Sequence, residues 1–319
     1  MALNTTGTVN TGTGALATKP QAFYDKVLLE VRRQKTFYHR QLAQVRPMPK
    51  KSGDTINFRK IGKLNVATTP LTEGVTPSSE NATISAISAT TKQYGSFMEF
   101  TDVVDFQMVD PILKEYALEQ ANQANETLDV LTRDELAAGS NVFYANAKAS
   151  RATLAAGDKP TLKDFRKIVL SMKKNHVKPA QNGQYVAIVS PAIAFDLLDD
   201  PDFIKIMDYG NTNKPLMENE VGKAYGITFV EQVNAKDFPG AGATGANVHA
   251  AIVLGNQAYG TVNIAGEGDI KTIVKPLGSS GTADPLSQRQ TMAWKVNAFV
   301  AKRLDETAIA RYECVPTQG

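Results

Sequence analysis

Cysteine is almost absent from this chain of 319 residues: Cys314 stands alone, beside three histidines and one tryptophan. A single cysteine excludes an internal disulfide, a cysteine-based zinc site and a dithiol redox pair. His39, His176 and His249 are scattered, and no G-x-S-x-G elbow occurs, so no local nucleophile–base motif is present. No apolar run approaches the ~18 residues that span a bilayer, and the first residues lack the charged-then-apolar order of a secretory signal. We therefore expect no membrane contact and a reducing, cytoplasmic place of synthesis. What is present, 42% hydrophobic and 21% charged residues, reads as globular. A chain this long can bury roughly 75% of its unfolded surface, and two lobes are expected.

The net charge is only +3, yet it is unevenly spread. Residues 1–60 hold eleven basic side chains against three acids, a balance of +8, which leaves −5 for the remainder. Residues 1–20 are Thr, Gly, Ala and Asn with few large apolar groups, a composition that cannot offset the entropy of ordering. From Gln21 to Val45, Tyr24, Val27, Leu28, Val31, Tyr38, Leu42 and Val45 recur at helical steps with Arg32, Arg33 and Arg40 on other faces, which predicts an amphipathic helix with a basic back ending at Arg46-Pro47. Residues 54–61 and 82–101 read as strands around an irregular tip, a long hairpin with too few apolar residues for a core of its own. Asp110-Pro111 starts a helix that runs to Gly139, about 28 residues or roughly 42 Å. Seven acids against two bases give this helix a balance of −5.

Thr161 is expected to cap a further helix, YVAIVS at 185–190 is a buried strand, Pro191 opens another helix, and 226–232 and 248–255 are strands, so 160–265 reads as an α/β lobe. Residues 290–304 alternate around Met292, Trp294, Val296, Ala298 and Val300, and 308–315 forms a closing strand. Several motifs have plain alternatives. Gly240-Ala-Gly242-Ala-Thr-Gly245 has dinucleotide-fingerprint spacing but is preceded by Phe238-Pro239 and followed by a β-like run, so it is a loop. Asp199, Asp200 and Asp202 could hold a divalent cation or form a solvated turn, and the turn is preferred. For the basic arm, Phe37 and Tyr38 beside Arg33, Lys35 and Arg40 permit nucleic-acid stacking, but Tyr38 shares the apolar face with Leu42, which favours protein contact.

The order of parts, with Arg46-Pro-Met-Pro-Lys50, Ala67-Thr-Thr-Pro-Leu-Thr-Glu-Gly-Val-Thr-Pro77, Lys92-Gln-Tyr-Gly95, Glu126-Thr-Leu-Asp129, Arg133-Asp-Glu-Leu136 and Asp284-Pro-Leu286 leading to Trp294-Lys295, resembles the Hong Kong 97-type capsid subunit of tailed phages. More narrowly it is similar to the coliphage N-four-like major capsid family. The resemblance implies an α+β fold with an N-terminal arm (1–50), an extended hairpin loop (51–96), a peripheral domain with a spine helix (97–155), an axial α/β domain (156–270) and a return to peripheral strands (271–319). It implies a non-enzymatic shell protein, without cofactor or metal, that forms pentamers and hexamers in an icosahedral shell around double-stranded DNA. Assembly in the host bacterial cytoplasm, residence in the virion, a portal protein, a separate scaffolding protein and decoration proteins go with it. A separate scaffold is expected because no fused extension of about a hundred residues precedes the arm. Intersubunit contacts are expected at Arg32, Arg33, Arg40, Arg59, Lys60, Glu73, Tyr94, Glu126, Asp129, Arg133, Glu135 and Trp294, with the arginines of the arm meeting acids of the spine helix in the same or an adjoining subunit. The rival readings are an α/β enzyme using His176 or the Asp199 region, and a DNA-binding module using the basic arm.

Overall fold

The computed structural model describes residues 38, 42–49, 53–76, 78–103, 112–180, 183–209, 220–264, 270–279 and 284–318. Strands β1 (Gln44–Met48), β2 (Thr55–Ile61), β3 (Ile84–Thr90) and β4 (Lys92–Thr101) precede helix α1 (Ile112–Ala137). Then come β5 (Val142–Tyr144), α2 (Leu162–Lys174), β6 (Tyr185–Val189), α3 (Pro191–Leu198), α4 (Pro201–Tyr209), β7 (Glu220–Ala224), β8 (Ile227–Glu231), β9 (Asp237–Phe238) and β10 (Val248–Leu254). The chain closes with β11 (Tyr259–Ile264), β12 (Lys271–Lys275), β13 (Arg289–Phe299), β14 (Ala301–Arg303) and β15 (Ile309–Cys314).

Seven strands form the largest sheet, in the order β5-β15-β10-β6-β8-β7 with β9 added on β10. β6 is buried at every position, which explains its unbroken apolar run: a strand covered on both faces has no reason to alternate. One face, carrying Tyr185, Ala187, Val189, Phe229, Val253 and Tyr312, is covered by Phe165, Ile168 and Met172 of α2, Ile193 and Leu197 of α3, and Phe203 of α4. Phe165 and Phe229 meet edge to face at 5.1 Å between ring centres. The other face, with Val186, Ile188, Val230, Ile252 and Leu254, receives Leu136 and Ala137 from the end of α1, together with Tyr38 and Tyr259. Helix α1 therefore ends against the large sheet. Its middle lies on a smaller sheet, β12-β13-β4, through Ala124, Leu128, Trp294, Val296 and Phe299.

Several expectations change. The helix expected over 21–45 falls mostly outside the described residues, and its last part is not helical: Gln44–Met48 is a strand parallel to β11. Pro47 is tolerated because β1 is the edge of its sheet, where a missing N–H costs no ladder bond. The expected strand 82–101 is two strands in two sheets, β3 pairing with β2 and β4 with β13. Residues 309–314 do not return to the peripheral strands; β15 lies inside the large sheet between β5 and β10, and Ala145 and Leu154 also join that core. The expected α/β lobe thus gains residues from both sides of its sequence limits. β7 was not foreseen; it turns into β8 through Tyr225 and Gly226, both at positive φ, the primed-turn geometry that a two-residue hairpin favours. On β13 the alternation slips between Val296 and Phe299, so Phe299 rather than Ala298 is buried. On α1 the buried face runs through Gln120, Ala124, Leu128, Thr132 and Leu136, two of them polar. The Thr161 side chain does not cap α2; the Leu162 N–H donates instead to Asp200 at 3.0 Å. That contact gives the acidic run at 199–202 a structural use. The Gly240–Gly245 segment is a loop ahead of β10, as its flanks require.

Candidate functional site

The hairpin is the part of the chain least able to support itself. β2 and β3 pair in register from Thr55↔Thr90 to Ile61↔Ile84, yet only Phe58 and Ala89 of these strands are buried. They sit with Met48, Val262 and Val300, so the hairpin base is clipped onto the sheet β1-β11-β14. Gly260 makes this possible: a Cβ there would lie 2.7 Å from the Phe58 ring, closer than packed carbons come. Lys60 adds an ion pair to Asp305. Burial opposes ionisation of Asp305, but hydrogen bonds from Lys60 and Thr307 outweigh it and hold the carboxyl below its ordinary range. A cleft of about 950 Å³ lies beside the base, lined by Arg46, Asn57, Arg59, Asn256, Gln257 and Asp305 among others.

Beyond this base the apolar side chains face outward. Leu64, Val66, Leu71 and Val75 are all at least half exposed, with Leu71 at 78%. The tip is nevertheless shaped. Gly62 N–H donates to Thr83 O at 2.7 Å, Asn65 N–H to Glu80 at 2.9 Å, and Val75 N–H to Thr72 O at 3.2 Å. The last closes a turn with Gly74 at φ 77°, the conformation that a type II turn demands at its third residue. Glu73 stands exposed beside it.

The structure sorts the expected contact residues into two groups. Arg59 and Glu73 are exposed on the hairpin, Lys60 pairs with Asp305, and Glu126 is half-buried on α1. Five others make contacts inside this chain, and the burial of Asp129 and Trp294 corrects their expected place at a subunit surface. Asp129 is fully buried and accepts the Tyr38 backbone N–H at 2.6 Å. Trp294 is 3% exposed, with its indole N–H donating to Gln123 at 2.9 Å. Tyr94 packs edge to face on Phe299 at 5.6 Å. Arg133 donates to Asn234 O at 2.9 Å. Glu135 pairs with Arg303 at 3.4 Å. Each is taken up because α1 is covered along most of its length by β13 and the large sheet. Arg32, Arg33 and Arg40 lie outside the described residues. Between them, however, Tyr38 does meet an acid of α1, through its backbone: Asp129 takes its N–H, and the Tyr259 hydroxyl donates to its carbonyl. Burial, with Asp129 nearby, pushes the Tyr38 phenol far up.

A joint at the end of α1 was not visible beforehand. Arg311 of β15 donates to the Ala137 carbonyl, satisfying one of the orphan acceptors at a helix C-terminus. Arg311 and Arg151 converge on Glu313, itself fully buried, and Arg151 lies 3.4 Å above the Phe238 ring. Asp134 pairs with Lys236 at 3.0 Å. Burial raises the Asp134 carboxyl, and hydrogen bonds from Lys236 and Arg133 more than reverse this. The strand that supplies both Arg311 and Glu313, β15, is remote in sequence from α1, and its alternation does not show which sheet it enters.

Among the described residues, the catalytic and metal-binding groups weighed in the sequence stay apart. Cys314 is buried, and burial pushes its thiol well above the ordinary value. Burial lowers the pKa of His249, and His176 is exposed. Among the described residues no group of three His, Cys, Asp or Glu could hold a metal ion, and no helix is long and apolar enough to cross a membrane. What the geometry offers is surface for contact.

A family model for phage capsid proteins matches residues 84–312, most of the chain. The chain belongs to the phage capsid protein family. This phage capsid protein is structural rather than enzymatic and resides in the virion shell; the family supports neither the enzyme nor the DNA-binding-module reading. No curated protein matches it. Solved structures carry the same Hong Kong 97-type fold. The capsid of cyanophage P-SCSP1u aligns with a TM-score of 0.72 at 19% identity over 96% of both chains. That of cyanophage Pam1 gives 0.73 at 14%, over 97% of this chain and 100% of that one. An encapsulin complex from Synechococcus elongatus gives 0.58 at 10%, over 93% and 94%. At these identities the likeness is one of fold.

Proposed function

We propose that this capsid protein is the major shell subunit of a tailed phage, closing through pentamers and hexamers into an icosahedral shell around double-stranded DNA. The observation that carries the reading is the hairpin: its base is fastened by Phe58 and Lys60, while its tip holds Leu64, Val66, Leu71 and Val75 in the open. Apolar groups held outward on a shaped arm mark an interaction surface. The occupant in this reading is the adjacent copy, and repeated head-to-tail contacts of that kind close into rings and shells. Arg59, Glu73 and Glu126, with Arg32, Arg33 and Arg40, are the contact residues in this account.

The large sheet with α2–α4 takes the part of the axial domain, and α1 with β4, β12 and β13 that of the peripheral domain. Assembly takes place in the host cytoplasm with a separate scaffolding protein, a portal and decoration proteins as partners. The narrower N-four-like placement rests on the sequence motifs alone. Size-exclusion chromatography with electron microscopy of the purified protein tests the reading. Regular shells, rings or tubes are expected; a stable monomer with enzymatic turnover would overturn it.

A further inference from the structure

Residues 159–178 carry Lys159, Lys163, Arg166, Lys167, Lys173, Lys174 and Lys178 against Asp164 alone. That balance of +6 exceeds the +3 of the whole chain. The fold then concentrates it. At 3.6 residues per turn, Lys163, Arg166, Lys167, Leu170, Lys173 and Lys174 fall within an arc of about 120° and span roughly 16 Å of α2. All six are exposed, and the helix buries Leu162, Phe165, Ile168, Val169 and Met172. Of the stripe, Asp164 pairs with Lys167 alone, at 2.7 Å. It is buried, and its oxygens accept from Thr161 and Tyr312 as well as from Lys167. Arg166 is held 4.4 Å above the ring of Tyr225, and Asp200 is committed to the Leu162 N–H at the start of the helix.

We propose that this face of α2 is a contact surface for the phosphate backbone of double-stranded DNA. The inference rests on the capsid reading and goes beyond it by placing the DNA on a named face, which must then be turned toward the interior of the shell. Three observations favour nucleic acid over protein. The stripe is mostly lysine, which is depleted at the centre of protein interfaces, and Leu170 is its one large apolar residue. No acid shares the arc. The face also lies on the side of the large sheet opposite the end of α1 and Tyr38, so it is free of the contacts that join the lobe to the rest of the subunit. Lysines on a convex helix neutralise phosphates without reading bases, so binding is independent of sequence and strongly salt-dependent.

The test uses the full-length protein and a labelled 30-base-pair duplex, with affinity measured by fluorescence anisotropy across roughly 50 to 200 mM salt. Lys163→Gln/Lys173→Gln/Lys174→Gln should weaken binding at least about tenfold and flatten the log–log salt slope by about 2 to 3. Lys271→Gln/Lys275→Gln, exposed on β12 and outside the stripe, should leave both nearly unchanged. The lysine variant should still form shells in the electron microscope. Unchanged DNA affinity in the lysine variant overturns the proposal, as do tighter binding of poly-glutamate than of DNA, which assigns the face to an acidic protein, and loss of shells, which makes it a subunit interface. Wild-type subunits that do not bind DNA before assembly but go on to make shells also overturn it and leave the capsid reading standing, whereas absence of wild-type shells removes the capsid reading itself.

Discussion

The large lobe and the hairpin arm handle the same kinds of residue in opposite ways. In the lobe Phe229 is closed in by Phe165 and Phe203, and the fully buried carboxylate of Glu313 has two guanidiniums converging on it. In the arm, aliphatic residues of similar size stand in solvent on a ribbon anchored by one ring and one ion pair. The difference separates two tasks. Stability of the subunit lives in the lobe, and the arm contributes to free energy only when something covers it.

The largest effect that should follow from this contrast is on the lobe side. Phe229→Ala should cost about 3–5 kcal/mol, read as a lowered midpoint of chemical unfolding, because the site is enclosed by rings that cannot collapse into the gap. Gly260→Ala strikes the junction instead. The added methyl must displace Phe58, an overpacking cost of about 1–3 kcal/mol. Amide exchange should quicken in 55–61 and 84–90 while β6 and β10 keep their protection. Acid probes the same junction more gently. The folded carboxyls of Asp305 and Asp134 ionise below their ordinary values, so their stabilisation is complete above the unfolded pKa of about 3.9 and is lost as pH falls through the lower folded values. Below that range the hairpin base and the end of α1 should loosen from the lobe together, visible as faster exchange in both. The smallest effect on the subunit belongs to the tip. Val66→Ser with Leu71→Ser should change unfolding by less than about 0.5 kcal/mol, yet reduce the yield of closed particles in micrographs.

How much of this could be read beforehand depended on how local the cause was. β6, β10 and the span of α1 were legible because their apolar patterns are continuous. The hairpin and its unsupported tip were legible from a shortage of apolar residues. β1 was misjudged because its strand pairing is supplied by β11, more than two hundred residues away, and β15 because an alternating strand does not say which sheet it enters. Asp129 and Trp294 were read as contact groups since nothing near them in sequence shows that Tyr38 and Gln123 meet them in the interior. The basic run that feeds the α2 stripe stands in the sequence as seven cations in twenty residues, but only the helix brings five of them onto one exposed face.

The claim that one region folds the subunit and the other joins subunits meets its most direct test in removal of residues 65–80. Gly62 and Thr83 are already hydrogen-bonded across the ribbon, so the shortened hairpin can close without strain on its base. Unfolding curves and electron micrographs of this deletion should show a subunit with wild-type stability that no longer forms closed shells. Normal shells from the shortened chain, or a subunit that fails to fold without its tip, would contradict the account.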